Sequence, residues 1–117
     1  MPLIVDNTVA TPYLLNPIAY GANIVIQSLT KYINGNGTAL GGAIIDAGTF
    51  DWGSGKFPEF TEPSAGYHGL IYNEVIGAAS FIAKVRIEGL RDYGAALSPF
   101  NAFQIIQGLE TLSIRIK

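Results

Sequence analysis

The sequence has no cysteine and a single histidine, His68. That removes disulfides, thiolate nucleophiles and cysteine-ligated metals, and one imidazole does not make a zinc site of the usual kind. Charge is sparse as well: Asp, Glu, Lys and Arg make up 14% of the chain, with a net charge of −2. The 7 basic residues form no stripe, so the electrostatic footprint of a nucleic-acid binder is missing. No apolar run approaches membrane length, and no charged segment followed by a long apolar stretch opens the chain. These absences predict no metal, no nucleic-acid partner, no membrane span and a cytoplasmic location. The 117 residues suffice for one modest domain with a core. A small domain that is 49% hydrophobic and so poorly charged predicts that other protein covers part of its surface, in an oligomer or in a longer chain.

What is present is concentrated in Gln27 to Gly42. The apolar run Ile24-Val25-Ile26 leads into it, Ser28 and Thr30 bracket Leu29, and Lys31 follows at once. Gly35, Gly37, Gly41 and Gly42 come next. A strand ending in hydroxyls, a lysine and a glycine-rich loop is an anion-site pattern. Hydroxyls donate to phosphate oxygens, and glycines let backbone N–H groups come close. Lys31 alone reads three ways: a solvated loop residue, a point charge on a phosphate, or an amine that forms a Schiff base with a carbonyl.

The rest of the chain reads as α/β. Leu3-Ile4-Val5 is a short apolar run that meets Asp6, which suits a strand buried on both faces of a parallel sheet, with Asp6 at its carboxyl end. Thr11-Pro12 marks a loop. Asn16-Pro17 starts a short helix that Gly21 ends. Ile24 to Gln27 is a second buried strand and Gly42 to Ile45 a third. From Ala47 to Gly69 the text is glycine-, proline- and aromatic-rich without a period, which predicts a long loop with one short helix around Thr49–Trp52. Ile76, Ala79, Ala83, Ile87 and Leu90 recur at helical spacing, predicting one long helix from Tyr72 or Asn73 to Gly94. Ser98-Pro99 starts another, with Ser98 as N-cap. Its stripe of Ala102, Ile105, Leu109, Leu112 and Ile116 predicts a helix still running at Lys117, as in a truncated chain.

Strands ending at Asp6 and at Ser28–Lys31, joined by a connection that contains a short helix, suit parallel neighbours. A carboxylate and a lysine then face one cleft. Pyridoxal 5'-phosphate has a phosphate, an aldehyde and a basic ring nitrogen, and uses all of these groups.

The segments Val5-Asp6-Asn7-Thr8, Thr11-Pro12 and Ser28-Leu29-Thr30-Lys31 with the glycines after them resemble the fold-type I Cys/Met-metabolism enzymes. The loop Gly55-Lys56-Phe57-Pro58-Glu59-Phe60-Thr61-Glu62-Pro63, then Tyr67-His68-Gly69-Leu70, is most similar to the sulfhydrylase branch of that family. Leu90-Arg91-Asp92, Gly94 to Phe103 and Gln107-Gly108-Leu109-Glu110-Thr111-Leu112 extend the resemblance over essentially the whole chain. It implies part of the aspartate-aminotransferase-like large domain in residues 1–96 and the first helix of the small carboxyl-terminal domain in 97–117. It further implies that Lys31 is the Schiff-base lysine, Asp6 the acid on the ring nitrogen, Ser28 and Thr30 phosphate ligands, and Thr8 a residue packed on the ring face. The implied reaction is γ-replacement on O-acetyl-L-homoserine by sulfide, in a homotetramer built of active-site dimers. Methionine γ-lyase, cystathionine γ-synthase and a non-catalytic folded fragment stand as alternatives. His68 reads as structural, and neither Arg91 nor Arg115 matches the family's carboxylate ligand. Family members are several times longer. The upstream phosphate loop, the ring-stacking tyrosine, the neighbouring subunit's tyrosine and arginine, and the downstream substrate strand have no counterpart in this sequence, so the chain alone is expected to be inactive.

Overall fold

A computed structural model describes residues 1–116. They form two compact units: residues 1–45 with the segment from Leu97 onward, and residues 46–96.

The first unit is built on a three-stranded sheet of β1 (Ile4–Asp6), β2 (Ile24–Ser28) and β3 (Gly42–Asp46), in the order β1-β2-β3. β1 and β2 are parallel, with Ile4 opposite Ile24, Val5 opposite Val25 and Asp6 opposite Ile26. The central strand β2 is buried only in part: Ile24 and Val25 are 1% and 4% exposed, but Ile26 of the same apolar run is 40% exposed. β1 is not buried on both faces: Leu3 and Ile4 are each 51% exposed. The reason is its place at the sheet edge, which an apolar run does not encode. Between β1 and β2 lie a short helix α1 (Thr11–Leu14), where the Thr-Pro pair suggests only a loop, and a 3₁₀ turn at Pro17–Tyr20. Gly21 ends that turn with φ 93, a left-handed conformation that only glycine adopts without strain. Asn16 stands at the N-cap position but its side chain makes no capping bond.

The second unit contains α2 (Pro58–Thr61), a 3₁₀ turn at Ala65–Tyr67, α3 (Tyr72–Ile76), a 3₁₀ turn at Gly77–Ala79, α4 (Ser80–Lys84) and a π-helical stretch Val85–Asp92. The helix expected near Thr49–Trp52 is absent. Those residues feed an aromatic cluster instead: Trp52 stacks on Phe81 at 5.1 Å and meets Phe50, Phe57 and Phe60 at 4.6, 5.2 and 4.7 Å. Ring packing sets this segment's path, and it carries no sequence period. The long helix expected from Tyr72 to Gly94 is broken. Gly77 takes φ 64 and ψ −129, which no right-handed helix tolerates, and the turns after Lys84 widen to π geometry. Gly94, at φ 70, does end the run.

The carboxyl-terminal segment returns to the first unit as α5 (Pro99–Leu109) and α6 (Leu112–Arg115). Pro99 opens α5, yet the Ser98 side chain makes no capping bond; its carbonyl accepts the Ala102 N–H at 2.9 Å. The helix does not run on unbroken. It stops at Leu109 and resumes after Thr111, and Lys117 lies outside the described residues. Ile105 and Leu112 are buried and join Ile33 and Ala39 in a core, with Leu29 and Ile116 packed against it. Leu109, counted in the apolar stripe, is 46% exposed; within α5 the buried positions are Ile105 and Gly108, and Gly108 is the residue that meets the Asn34 backbone. The core fastens the loop after β2 to α5 and α6.

Candidate active site

The parallel register brings the carboxyl ends of β1 and β2 to one edge of the sheet. Asp6 ends β1, and its Oδ1 accepts the Thr8 N–H at 3.0 Å. The Thr8 side chain, and next its backbone N–H, hold the Asp6 carboxyl below the ordinary carboxylate range, so Asp6 is ionised at neutral pH. Thr8 Oγ1 also accepts the Ser28 N–H at 2.8 Å. One threonine thus links the acid at the end of β1 to the first hydroxyl residue at the end of β2.

The loop after Asp6 is pinned from below. The Asn7 N–H donates to Ile26 O at 2.9 Å, continuing the β1–β2 ladder, and the Asn7 carbonyl accepts the Thr11 N–H at 2.8 Å. The buried Asn7 side chain donates from Nδ2 to Leu15 O at 2.9 Å. Thr11 is fully buried with φ 58, an uncommon conformation for a β-branched residue, and its hydroxyl accepts the Tyr13 N–H at 3.3 Å. Asn7 and Thr11 are the residues that sequence reasoning passed over. The signal for them is only that two polar residues sit where the chain must turn sharply beside a buried strand.

Past Ser28 the chain enters a turn that carries Lys31. The Asn34 N–H donates to Leu29 O at 3.0 Å and the Gly35 N–H to Lys31 O at 2.8 Å. Asn34 is fully buried, and its Nδ2 donates to Ala39 O at 3.3 Å. Lys31 is exposed, and among the described residues its Nζ has no hydrogen-bond or ion-pair partner; the two ion pairs are Lys84–Glu88 and Arg91–Asp92. Ser28 Oγ likewise has none. Thr30 differs. Its Oγ1 accepts the Gly41 N–H at 3.1 Å and donates to Gly41 O at 3.3 Å, a clasp that closes the glycine-rich loop beside the strand. Lys31, Tyr32, Gly35 and Arg115 line one open depression. His68 is exposed at φ 54 in the second unit.

These groups fit pyridoxal phosphate. An ionised carboxylate, an amine with no other partner and a free hydroxyl leave adjacent strands at one edge. Those are the groups that hold a pyridinium N–H, an aldehyde and a phosphate oxygen. Thr8 and Thr30, expected at the ring face and the phosphate, engage their hydroxyls within the chain, Thr8 with the Ser28 N–H and the Asp6 carboxylate and Thr30 with the Gly41 backbone. Thr30 donates to a phosphate only by turning its proton away from Gly41.

Comparison with known proteins gives one family. The model for the Cys/Met metabolism PLP-dependent enzymes matches residues 1–117. The chain is similar to the O-acetyl-L-homoserine sulfhydrylase of Leptospira meyeri, 54% identical over 125 residues, which is 100% of this chain and 28% of that protein. Its fold is similar to a Campylobacter jejuni protein described as an O-acetylhomoserine (thiol)-lyase, which carries N'-pyridoxyl-lysine-5'-monophosphate. The TM-score is 0.87 at 43% identity, covering 97% of this chain and 29% of that one. It is also similar to the O-acetylhomoserine sulfhydrylase of Wolinella succinogenes, with TM-score 0.75 at 38% identity and the same coverage, 97% and 29%. The chain therefore spans less than a third of the length of the relatives it matches, 28% for the first.

Proposed function

The chain belongs to the Cys/Met metabolism PLP-dependent enzymes, a fold-type I α/β family, and from that membership we propose that it supplies the cofactor-attachment segment of an enzyme converting O-acetyl-L-homoserine and sulfide to L-homocysteine and acetate. The observation that carries this reading is the parallel β1–β2 pair, with Asp6 and Ser28 tied through Thr8 at one edge and an unpartnered Lys31 in the following turn. The 54% identity to the Leptospira meyeri sulfhydrylase supports the substrate.

When bound, pyridoxal phosphate supplies an aldehyde that condenses with amines and a ring that draws electrons from the carbon bearing the amine. The chain's own residues do the rest. Asp6, ionised, keeps a proton on the basic ring nitrogen. Ser28 Oγ–H donates to a phosphate oxygen, and Thr30 joins it once released from Gly41. Lys31 Nζ holds the cofactor until substrate arrives. As a neutral amine it then takes the proton from the substrate α-carbon and returns it at the end. In the net reaction a C–S bond forms at the γ-carbon as the C–O bond to acetate breaks. Thr8 keeps Asp6 and Ser28 in fixed relation, and Asn7 and Thr11 hold the loop between them.

Residues 1–96 belong, in this reading, to the large cofactor domain, and 97–117 open the smaller carboxyl-terminal domain. The compact units divide differently, the segment from Leu97 packing with residues 1–45 and apart from 46–96, so this division rests on the family resemblance. The assembly is a cytoplasmic homotetramer built of active-site dimers. Several phosphate donors, the substrate-carboxylate clamp and the second subunit's contribution lie outside these residues, so the chain by itself is inactive.

The test exchanges the matching segment of the Leptospira meyeri sulfhydrylase for this chain. Borohydride reduction and peptide mapping should put the pyridoxyl label on Lys31, and Lys31→Ala should abolish homocysteine formation. Label on Lys56 or Lys84 ends the proposal. So does sulfhydrylation by the chain alone at the rate of the exchanged enzyme, because the outlying groups would then be dispensable.

A further inference from the structure

We infer that Arg115 is a positioning residue for Lys31, clamping the turn that carries it; this rests on the role proposed above for Lys31. The guanidinium reaches across from α6. Nη1 donates to Tyr32 O at 2.8 Å, and Nη2 donates to Ile33 O at 3.3 Å and to Gly108 O at 2.8 Å. Nε donates to Thr111 Oγ1 at 2.9 Å. One planar group thus binds the two carbonyls that follow Lys31, the last turn of α5 and the start of α6. The Gly108 carbonyl, in the last turn of α5, also accepts the Thr111 N–H at 3.3 Å and the Thr111 hydroxyl at 3.2 Å, and a cation is favoured at this end of a helix. A lysine ammonium is a single point and does not span four acceptors; a guanidinium fork does.

Two glycines make room for this contact. Gly35 has φ +72, and a Cβ on it would lie 2.3 Å from Arg115 Cζ. Gly108 lets α5 touch the turn directly, since a Cβ there would lie 1.9 Å from Asn34 O. The arginine therefore lies over the backbone of the lysine turn, with three bonds to carbonyls and one to the Thr111 hydroxyl, although it lines the same depression as Lys31. It acts on Lys31 through the backbone.

The clamp matters because of Lys31 itself. Its amine sits on a flexible stem with no partner of its own, so the Cα position and the path of the turn set where Nζ reaches. A displacement of about 1 Å in a reacting group costs about a hundredfold in rate.

The experiment uses the exchanged enzyme described above, with wild-type Arg115, Arg115→Lys, Arg115→Ala and, as a packing control away from the lysine turn, Phe60→Ala, which removes a buried ring of the aromatic cluster. Two quantities are read: backbone hydrogen exchange across residues 29–35 of the cofactor-free protein, and the rate at which Lys31 becomes reducibly attached to added pyridoxal phosphate. Arg115→Ala is expected to speed exchange of the Asn34 and Gly35 amides and to slow attachment, each by roughly tenfold or more, the scale of lost hydrogen bonds to a charged group. Arg115→Lys is expected to shift both the same way by at least about threefold, since it keeps the charge but not the fork. Phe60→Ala should lower stability while leaving attachment near the wild-type rate, since Phe60 packs on Trp52 and Tyr72 and not on the lysine turn. Wild-type exchange and attachment in Arg115→Ala overturn the inference. So does slowing in Phe60→Ala equal to that in Arg115→Ala. If Arg115→Ala does not fold, Arg115→Lys decides: wild-type values for both readouts overturn the clamp. Label on a lysine other than Lys31 in the unmutated protein defeats the role proposed for Lys31, while the exchange data still report on the clamp.

Discussion

Replacing Gly108 by alanine sets two well-known effects against each other. In an exposed helix interior the change stabilises, because alanine is favoured over glycine by about 1 kcal/mol. At Gly108 the new Cβ would lie 1.9 Å from Asn34 O, 2.6 Å from Asn34 C and 2.7 Å from its Cα. A carbon–oxygen contact needs about 3.3–3.6 Å, so α5 and the lysine turn must part by more than about 1 Å. No flexible side chain is available to yield, because every obstructing atom is backbone. Overpacking of a buried site costs about 1–3 kcal/mol even where side chains can adjust. A rigid backbone puts this site at the upper end, beyond what helix propensity returns. Gly108→Ala should therefore lower the urea midpoint of the chain by the equivalent of about 1–2 kcal/mol net, at unchanged slope. Gly89→Ala is the matched control. Its nearest neighbour would be Val85 Cγ1 at 3.9 Å, an ordinary contact, so it should be neutral or mildly stabilising. Circular dichroism against urea measures both. A Gly108→Ala protein as stable as Gly89→Ala would mean that α5 does not rest on the Asn34 backbone, and the account of how the turn is held would fall with it.

Asp6 titrates below its unfolded value of about 3.9, so its contribution to stability is present above that pH and is lost as the pH falls through the lower folded value. Asp6→Asn should remove this acid-limb slope in urea midpoints, and superimposable wild-type and variant profiles would refute the assignment. The Tyr72 ring is fully buried and its hydroxyl has no hydrogen-bond partner among the described residues. Tyr72→Phe should hold or raise the midpoint by up to about 1–3 kcal/mol; a clear loss would reveal a partner for the hydroxyl. Ile105→Ala opens the core shared with Ile33, Ala39 and Leu112 and should cost about 2–5 kcal/mol. A cost under about 1 kcal/mol, read from the same titration, would show that the site collapses freely.

How much of this was legible in the sequence depends on the range of the interaction involved. β2 is announced by Ile24-Val25-Ile26, and the burial of Ile24 and Val25 follows from its central position, while Ile26 stays exposed. β1 is announced equally well by its apolar run, but whether Ile4 is covered depends on which strand lies at the edge. Gly77 sits between apolar residues that keep perfect helical spacing, so periodicity runs straight through a residue whose φ of 64 breaks the helix. The Phe50–Phe60 region has no period because rings pack by geometry in space. Asp6 and Ser28 close their strands and Lys31 lies in the turn after β2, and their placement is legible because each sits at the end of an apolar run; their cofactor roles are what we propose. Arg115 is not: its contact with Ile33 O spans 82 residues, and nothing local distinguishes it from a solvated arginine at the end of a helix.

The three hydroxyls near the strand ends show why residue type alone under-determines a site. Thr8, Ser28 and Thr30 all read from sequence as ligands for the cofactor. In the fold, Thr8 joins two strand ends through the Ser28 N–H, Thr30 closes a loop through Gly41, and Ser28 keeps its hydroxyl available. A β-branched threonine has one stiff χ1, which suits a fixed bond to backbone. A serine turns at little cost. Holding the frame thus falls to the threonines and presenting a donor to the serine. On this division Ser28→Ala should act on cofactor affinity with little effect on folding. Thr8→Val should do the reverse, since it leaves the Ser28 N–H and the Asp6 carboxylate without the group that joins them.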